Sequence, residues 1–346
     1  DRMIKRSPLG VVFSIAAWNY PYLIAVNSVI PALMAGNTVV LKHSEQTLLC
    51  SERFFKAFQE AGLPTGVFQY LHLSHEVTAK VIKDTRVDYV AFTGSVAGGH
   101  AINKAASGRF INTGLELGGK DPAFVCEDAN LEIAAESLVD GAFFNSGQSC
   151  CGIERIYVKE QVYDDFLDKF INLTNQYVLG NPFEKGTTLG PLVKQTGADF
   201  IREQVKLAVN NGAKRLIDVK QFKLDDGLSN YLAPQILINT DHSMSIMKDE
   251  SFGPVVGIMK VKTDDEAIQL MNDSDFGLTA SIWASDIEKA IHIGDQVETG
   301  TWFMNRCDYL DPQLAWTGVK NTGKGCTLSK VGYEFLTRPK SYHLKI

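Results

Sequence analysis

Two short stretches of this 346-residue chain carry residue types that could do covalent chemistry. The first, residues 143–151, reads FFNSGQSCC and places Cys150 two residues past Gln148, after the flexible turn that Gly147 offers. The second, LELGGKDP over 115–122, sets a lone acid, Glu116, on an apolar stretch that ends in two glycines. A thiolate adds to a carbonyl carbon, and a carboxylate can take a proton from water, so a nucleophile and a general base are at hand. A free thiol titrates near about 8.5 and needs a cation, a base or a helix N-terminus to be activated, while most cysteines are inert small hydrophobes. Local pattern leaves Cys150 and Cys151 equivalent. It also leaves Glu116 open, as a solvent-facing residue of an edge strand or as a buried acid whose raised pKa suits a base.

Regular elements must hold these groups. SPLGVVFSIAA, over 7–17, is a continuous run of small and β-branched residues, the pattern of a strand buried on both faces. Trp18, Asn19, Tyr20 and Pro21 break it, and 22–36 reads as a helix containing Pro31. Strands at 38–42, 67–71, 89–93 and 112–117 then alternate with helices over 46–62, 77–83 and 96–106. Beyond them, strands at 123–125, 155–158, 233–238, 255–261 and 279–283 alternate with helices over 131–144, 163–177, 198–211, 265–271 and 287–296. Such alternation predicts an α/β fold, with a doubly wound parallel sheet that binds ligands beyond the carboxyl ends of its strands. Asn19, Lys42, Gly94 and Glu116 all fall at or just past such an end. A domain boundary is expected near Gly118 and Gly119. The tail, 333–346, reads as an extended segment that seeks a partner sheet, often in another subunit.

Composition narrows the classes. A net charge of −6 with no long Lys/Arg run argues against nucleic-acid binding. Six cysteines without a C-x-x-C pair point to a reducing compartment, taken here as the cytoplasm. The seven histidines show no ligand spacing, so no metal is expected, and no apolar run is long enough to span a membrane. GVKNTGK, over 318–324, is followed by Gly325 where a phosphate-binding loop needs Ser or Thr, and no G-x-G-x-x-G opens a helix. The start at Asp1, without an initiator Met, reads as a truncation.

Taken together, these motifs resemble the aldehyde dehydrogenase superfamily. FFNSGQSC is similar to its cysteine signature and LELGGKDP to its glutamate signature, while AWNYP, VLKHSEQT, FTGS, ESFGPVV and FGLTASIW follow the family's order over nearly the whole chain. The resemblance implies an NAD-binding, Rossmann-like domain over 1–118, a catalytic domain over 119–320, and a return segment with an oligomerisation strand over 321–346. It implies oxidation of an aldehyde to a carboxylic acid, with NAD rather than NADP as hydride acceptor. Cys150 would be the nucleophile, Asn19 and the Cys150 backbone N–H the oxyanion hole, and Glu116 the base that activates water against the thioester. Cofactor residues would be Trp18, Lys42, Glu45, Gly94, Ser95, Leu117, Glu250 and Phe252. Tyr20 and Trp316 would wall the substrate tunnel.

The resemblance further implies a homodimer or homotetramer acting on a small aldehyde. Three departures stand out: Ala17 replaces a common Pro, Ser28 stands where many members carry a proton-relaying lysine, and the family's region before the position of Leu9 is not in this sequence. Rival readings are a CoA-acylating semialdehyde dehydrogenase, which needs no Glu116, a catalytically silent binding member, and a cysteine hydrolase, which needs a His beside Cys150.

Overall fold

The structure, a computed structural model, describes residues 1–345. Ile346, the last residue of the expected tail, lies outside them. The chain divides into two compact units, 1–117 with 310–345 and 118–309, so it leaves the first unit between the end of the Glu116 strand and Gly118.

In the first unit β1 (Arg2–Pro8), β2 (Val11–Ala16), α1 (Pro21–Met34), β3 (Thr38–His43), α2 (Leu48–Glu60), β4 (Phe68–Tyr70), α3 (His75–Lys83), β5 (Tyr89–Thr93), α4 (Val96–Ala106) and β6 (Asn112–Glu116) follow one another. Strands β2 to β6 pair in parallel in the order β6-β5-β2-β3-β4. The continuous apolar run of β2 is explained by its two covered faces. Val12 and Ala16 pack with Ala25, Val29 and Ala32 of α1, whereas Phe13 and Ile15 pack with Ile82 of α3 and Ile102 of α4. Each of the larger side chains stabilises the fold by roughly 1.5–3 kcal/mol relative to exposure.

The second unit holds β7 (Asp121–Val125), α5 (Leu131–Phe143), β8 (Ile153–Lys159), α6 (Tyr163–Thr174), α7 (Gln195–Asn210), β9 (Lys214–Arg215), β10 (Gln235–Ile238), α8 (Ser245–Lys248), β11 (Val255–Val261), α9 (Asp264–Asn272), β12 (Phe276–Gly277), β13 (Thr279–Trp283), α10 (Ile287–Gly294) and β14 (Thr301–Met304). Its sheet runs β14-β13-β7-β8-β11-β10-β9, with only β9 antiparallel. Ile156, Val158 and Ile258 pack on α5 and α6, while Tyr157 and Val261 face α7 and α9. The chain then returns to the first unit with β15 (Val319–Lys320), β16 (Gly323–Lys324), α11 (Ser329–Phe335) and β17 (Thr337–His343).

Three expectations change. The strand read over 7–17 is two strands, because Gly10 takes φ +134° and a Cβ there would meet the Asp88 carboxylate at 2.1 Å. The segment 310–320, read with the second domain, folds into the first unit, where β16 extends the sheet antiparallel to β6. Lastly, Tyr333 to Phe335 belong to α11 rather than to an extended tail. Strand β17 pairs antiparallel with β1 of the same chain, from Arg2 opposite His343 to Pro8 opposite Thr337.

Candidate active site

Glu116 ends β6, a strand with neighbours on both sides, so the edge-strand reading gives way to a half-buried acid inside the sheet. The residue borders a cavity of about 700 Å3 within the first unit, also lined by Asn27, Ser28, Thr93, Cys326 and Thr327. Its carboxyl lies deep in the surroundings, and burial pushes its pKa up against two hydrogen bonds that pull it down. Those donors are the Thr327 hydroxyl, 2.5 Å from Oε1, and the Thr93 hydroxyl, 3.2 Å from Oε2. A raised carboxyl pKa is what a base operating near neutrality needs. Trp316 is buried and exchanges two backbone hydrogen bonds with Thr327, at 2.8 and 2.9 Å, which ties it to the Glu116 setting. Ser28 fills the expected lysine position with a hydroxyl 2.6 Å from that of Ser14.

The other expected residues of this unit lie at the carboxyl ends of β2, β3 and β5. Trp18, Asn19 and Tyr20 follow β2 and are half-buried. Lys42 is the penultimate residue of β3, where burial lowers its pKa and the nearby Glu45 carboxylate opposes that shift. Gly94 donates its N–H to the Glu116 carbonyl at 3.0 Å, and a Cβ on it would stand 2.6 Å from the Phe92 ring. Ser95 caps α4 by accepting the Gly98 N–H at 3.2 Å. Gly98 is as crowded by Phe92 as Gly94, and a Cβ on Gly99 would meet the buried Leu117 side chain at 2.7 Å. The backbone is thus bare at the positive end of a three-turn helix, with a buried cation and a carboxylate at the carboxyl end of β3, two strands along the same sheet from β5. That combination fits a dinucleotide: amides for the pyrophosphate, Lys42 and Glu45 for sugar hydroxyls.

Cys150 sits in the second unit, after a strained turn. Asn145, Ser146 and Gly147 take φ of 51°, 57° and 70°, three consecutive left-handed residues that end α5. The two non-glycines cost about 1–2 kcal/mol each. Specific bonds hold them: the Ser146 hydroxyl donates to the Gly190 carbonyl at 2.7 Å, and Gln148 accepts the Val193 N–H at 2.9 Å and donates to the Asn145 carbonyl at 3.1 Å. Gly147 must lack a side chain, since a Cβ would lie 2.2 Å from the Gly253 carbonyl oxygen. Strain of this kind persists where the surroundings over-determine it, typically at functional turns.

The turn also separates the two thiols. Cys150 is partly exposed, while Cys151 is buried and donates to Asp308 Oδ1 at 2.8 Å. Its bond to Cys150, then burial, then the Asp308 carboxylate all push the Cys151 thiol well above its usual pKa. Gly119, from the glutamate motif, approaches so closely that a Cβ would stand 2.0 Å from the Cys150 carbonyl oxygen. Its neighbour Gly118 leaves equally little room beside the Glu250 carboxyl, 2.3 Å from a built Cβ. Glu250 accepts the Gly119 N–H through Oε1 at 3.0 Å. No other protein donor reaches its carboxyl among the described residues. Burial, with Glu154 next in effect, raises it to about 7. Phe252 takes φ +53°. An open carboxylate oxygen beside an aromatic ring on a fixed turn fits a ribose and a flat heterocycle.

Sequence reasoning passed over Thr93, Thr327, Lys120, Glu154 and Asp308. Glu154 carried a usable signal, since it is a charge within the apolar pattern IERIYV. The threonines had none. No cluster of His, Cys, Asp and Glu among the described residues could hold a metal ion, and no helix among them is long and apolar enough to cross a membrane.

Comparison with known proteins identifies the family. Residues 1–342 match the model of the aldehyde dehydrogenase family. The chain is 36% identical over 343 residues to betaine aldehyde dehydrogenase of Bacillus subtilis, covering 98% of this chain and 70% of that protein. It is 34% identical to the succinate semialdehyde dehydrogenase [NAD(P)+] Sad of Escherichia coli, covering 96% and 72%. Among solved structures, an NAD-dependent aldehyde dehydrogenase from Sinorhizobium meliloti superposes with a TM-score of 0.95 at 33% identity, over 99% of this chain and 68% of that one. A match over almost the full chain, spanning both the cysteine and the glutamate motifs, makes this protein a member of the aldehyde dehydrogenase family.

Proposed function

We propose that the protein oxidises an aldehyde to its carboxylic acid, with NAD as hydride acceptor and Cys150 as nucleophile. The partly exposed Cys150 thiol, next to a Cys151 that is buried and bonded to Asp308, is the observation that carries this reading. The Cys150 thiolate adds to the aldehyde carbon, and the developing oxyanion is met by the Asn19 amide and the Cys150 backbone N–H. Donors of that type contribute about 2.7–4 kcal/mol each in other enzymes. Lys42, Glu45, Gly94, Ser95, Glu250 and Phe252 would hold NAD, which would supply the acceptor for the hydride lost from the substrate carbon, leaving the acyl group on the Cys150 sulfur as a thioester. Glu116 then takes a proton from water, the water oxygen adds to the acyl carbon, and the C–S bond breaks to release acid and thiol. Burial of the Glu116 carboxyl supports its role as a base, because a pKa above the ordinary carboxylate range brings it toward that of its task.

A carboxylate at Glu45 favours NAD over NADP, whose additional phosphate it would repel. Self-association into a homodimer or homotetramer is part of the proposal. Its support is the exposed two-stranded β1–β17 ribbon, in which each strand has only the other as partner among the described residues.

The test is NADH formation from a panel of aldehydes that vary in chain length and terminal charge. Turnover independent of added CoA, abolished in Cys150→Ala, supports the proposal. A folded protein that binds NAD and yields no NADH from the panel would falsify it, and strict dependence on CoA would replace hydrolysis by acyl transfer.

A further inference from the structure

The second unit contains a buried ion pair that the proposed chemistry does not use. The Lys120 ammonium, 1% exposed, donates to Glu154 at 2.5 Å and to the Ser251 hydroxyl at 3.1 Å. Glu154, 3% exposed, spends its remaining capacity on backbone: Oε1 accepts the Phe252 N–H at 2.8 Å and Oε2 the Ser251 N–H at 2.8 Å. The acceptor is aimed by an irregularity of the sheet. Asp121 pairs with Ile153 and Pro122 with Arg155, so Glu154 is the extra residue of a bulge. Bulges turn a side chain away from its regular direction. Lys120 is fixed from the other side, where its carbonyl accepts the Arg155 Nε–H at 2.9 Å.

Two charges in the interior need a reason, because a well-packed apolar pair of similar volume is often as stable. Here the reason lies in what the carboxylate grips. Residues 250–252 form no regular hydrogen-bonded element, and Phe252 is held at φ +53°, where a side chain is disfavoured. The consecutive amides of Ser251 and Phe252 both point into Glu154, and Lys120 holds that acceptor from the other side. We propose that Lys120 and Glu154 are positioning residues that set the turn carrying Glu250 and Phe252 for NAD. This rests on the reading that Glu250 and Phe252 hold the nicotinamide end of the cofactor.

Variants that leave no unpaired charge keep the test apart from simple unfolding. Lys120→Met/Glu154→Leu removes both charges and the acceptor, whereas Lys120→Met/Glu154→Gln removes the charges and keeps an acceptor oxygen. NAD dissociation constants from fluorescence titration, melting temperatures and iodoacetamide labelling of Cys150 are measured for both. The Leu pair is expected to weaken NAD binding about tenfold or more, the size of a lost hydrogen bond to a charged group. The Gln pair should restore affinity to within about threefold at a similar melting temperature, since one of the two amide bonds can re-form. Wild-type affinity in the Leu pair, or equal weakening in both, overturns the proposal. If the Leu pair does not fold, Glu154→Asp decides, since it keeps the charge and withdraws the acceptor by one methylene. Weaker NAD binding then supports positioning and unchanged binding refutes it. Glu250→Gln and Phe252→Ala are run alongside: if neither alters NAD affinity, the reading of the turn itself fails, whatever the ion pair does.

Discussion

Gly119→Ala isolates the contact between the two motifs. The added Cβ would stand 2.0 Å from the Cys150 carbonyl oxygen, whereas such contacts are essentially never under 3.0 Å, so one backbone must move by at least 3.0 − 2.0 = 1.0 Å. The obstructing atom is backbone, so no side-chain rotation relieves it. Overpacking of this kind costs about 1–3 kcal/mol, and a shift of about 1 Å at a reacting group costs on the order of a hundredfold in rate. The displaced carbonyl belongs to Cys150 itself, so the thiol moves with it. We expect Gly119→Ala to fold, to melt a few degrees lower, and to lose on the order of a hundredfold in kcat, with slower iodoacetamide labelling of Cys150. Gly197→Ala is the matched control. It lies on α7 with nothing within 4 Å of its built Cβ, and should gain up to about 1 kcal/mol from helix propensity. Wild-type kcat and labelling in Gly119→Ala would refute the argument that this approach fixes the thiol.

Other outcomes follow from the same geometry. Glu250, raised to about 7, is half-protonated near neutrality, so NAD affinity should rise with pH through about 7 and become flat in Glu250→Gln. A pH-independent wild-type dissociation constant would exclude Glu250 as the acceptor. The sign for stability is opposite: the folded state retains a proton that the unfolded chain has released, so this group's contribution falls as pH rises from the ordinary carboxylate range through about 7. Thr327→Val deletes the 2.5 Å hydrogen bond that lowers the Glu116 pKa, so the acidic limb of the kcat profile should move to higher pH; an unmoved limb argues against Glu116 as the base. Cys151→Ala removes the donor to Asp308 and should cost about 1–2 kcal/mol in chemical denaturation, while NADH formation persists. Loss of activity in Cys151→Ala with Cys150 still labelled would exchange the roles of the two thiols.

What the sequence determined on its own is what depends on near neighbours. Unbroken β-branched runs such as VVFSIA and the 3.6-residue pattern between them specify buried strands and covering helices, because side-chain direction repeats locally. The doubly wound α/β architecture follows, and with it the placement of Asn19, Lys42, Gly94 and Glu116 at strand ends. Pairs distant in the chain lay beyond that reach. Cys150 and Cys151 are adjacent and chemically alike, and only Asp308, brought back by the fold, buries and bonds one of them. Glu116 left the sheet edge once β16 closed the far side of β6, and Thr327 arrived with it, more than two hundred residues later. Strand β1 separated from β2 because β17 offered a partner at the opposite end of the chain. Likewise, Lys120 and Glu154 are thirty-four residues apart, and only a bulge of the sheet aims one at the other and at the turn they hold. Local periodicity sets which face a residue shows. Exposure, protonation and reactivity are set by whatever the distant chain packs against that face.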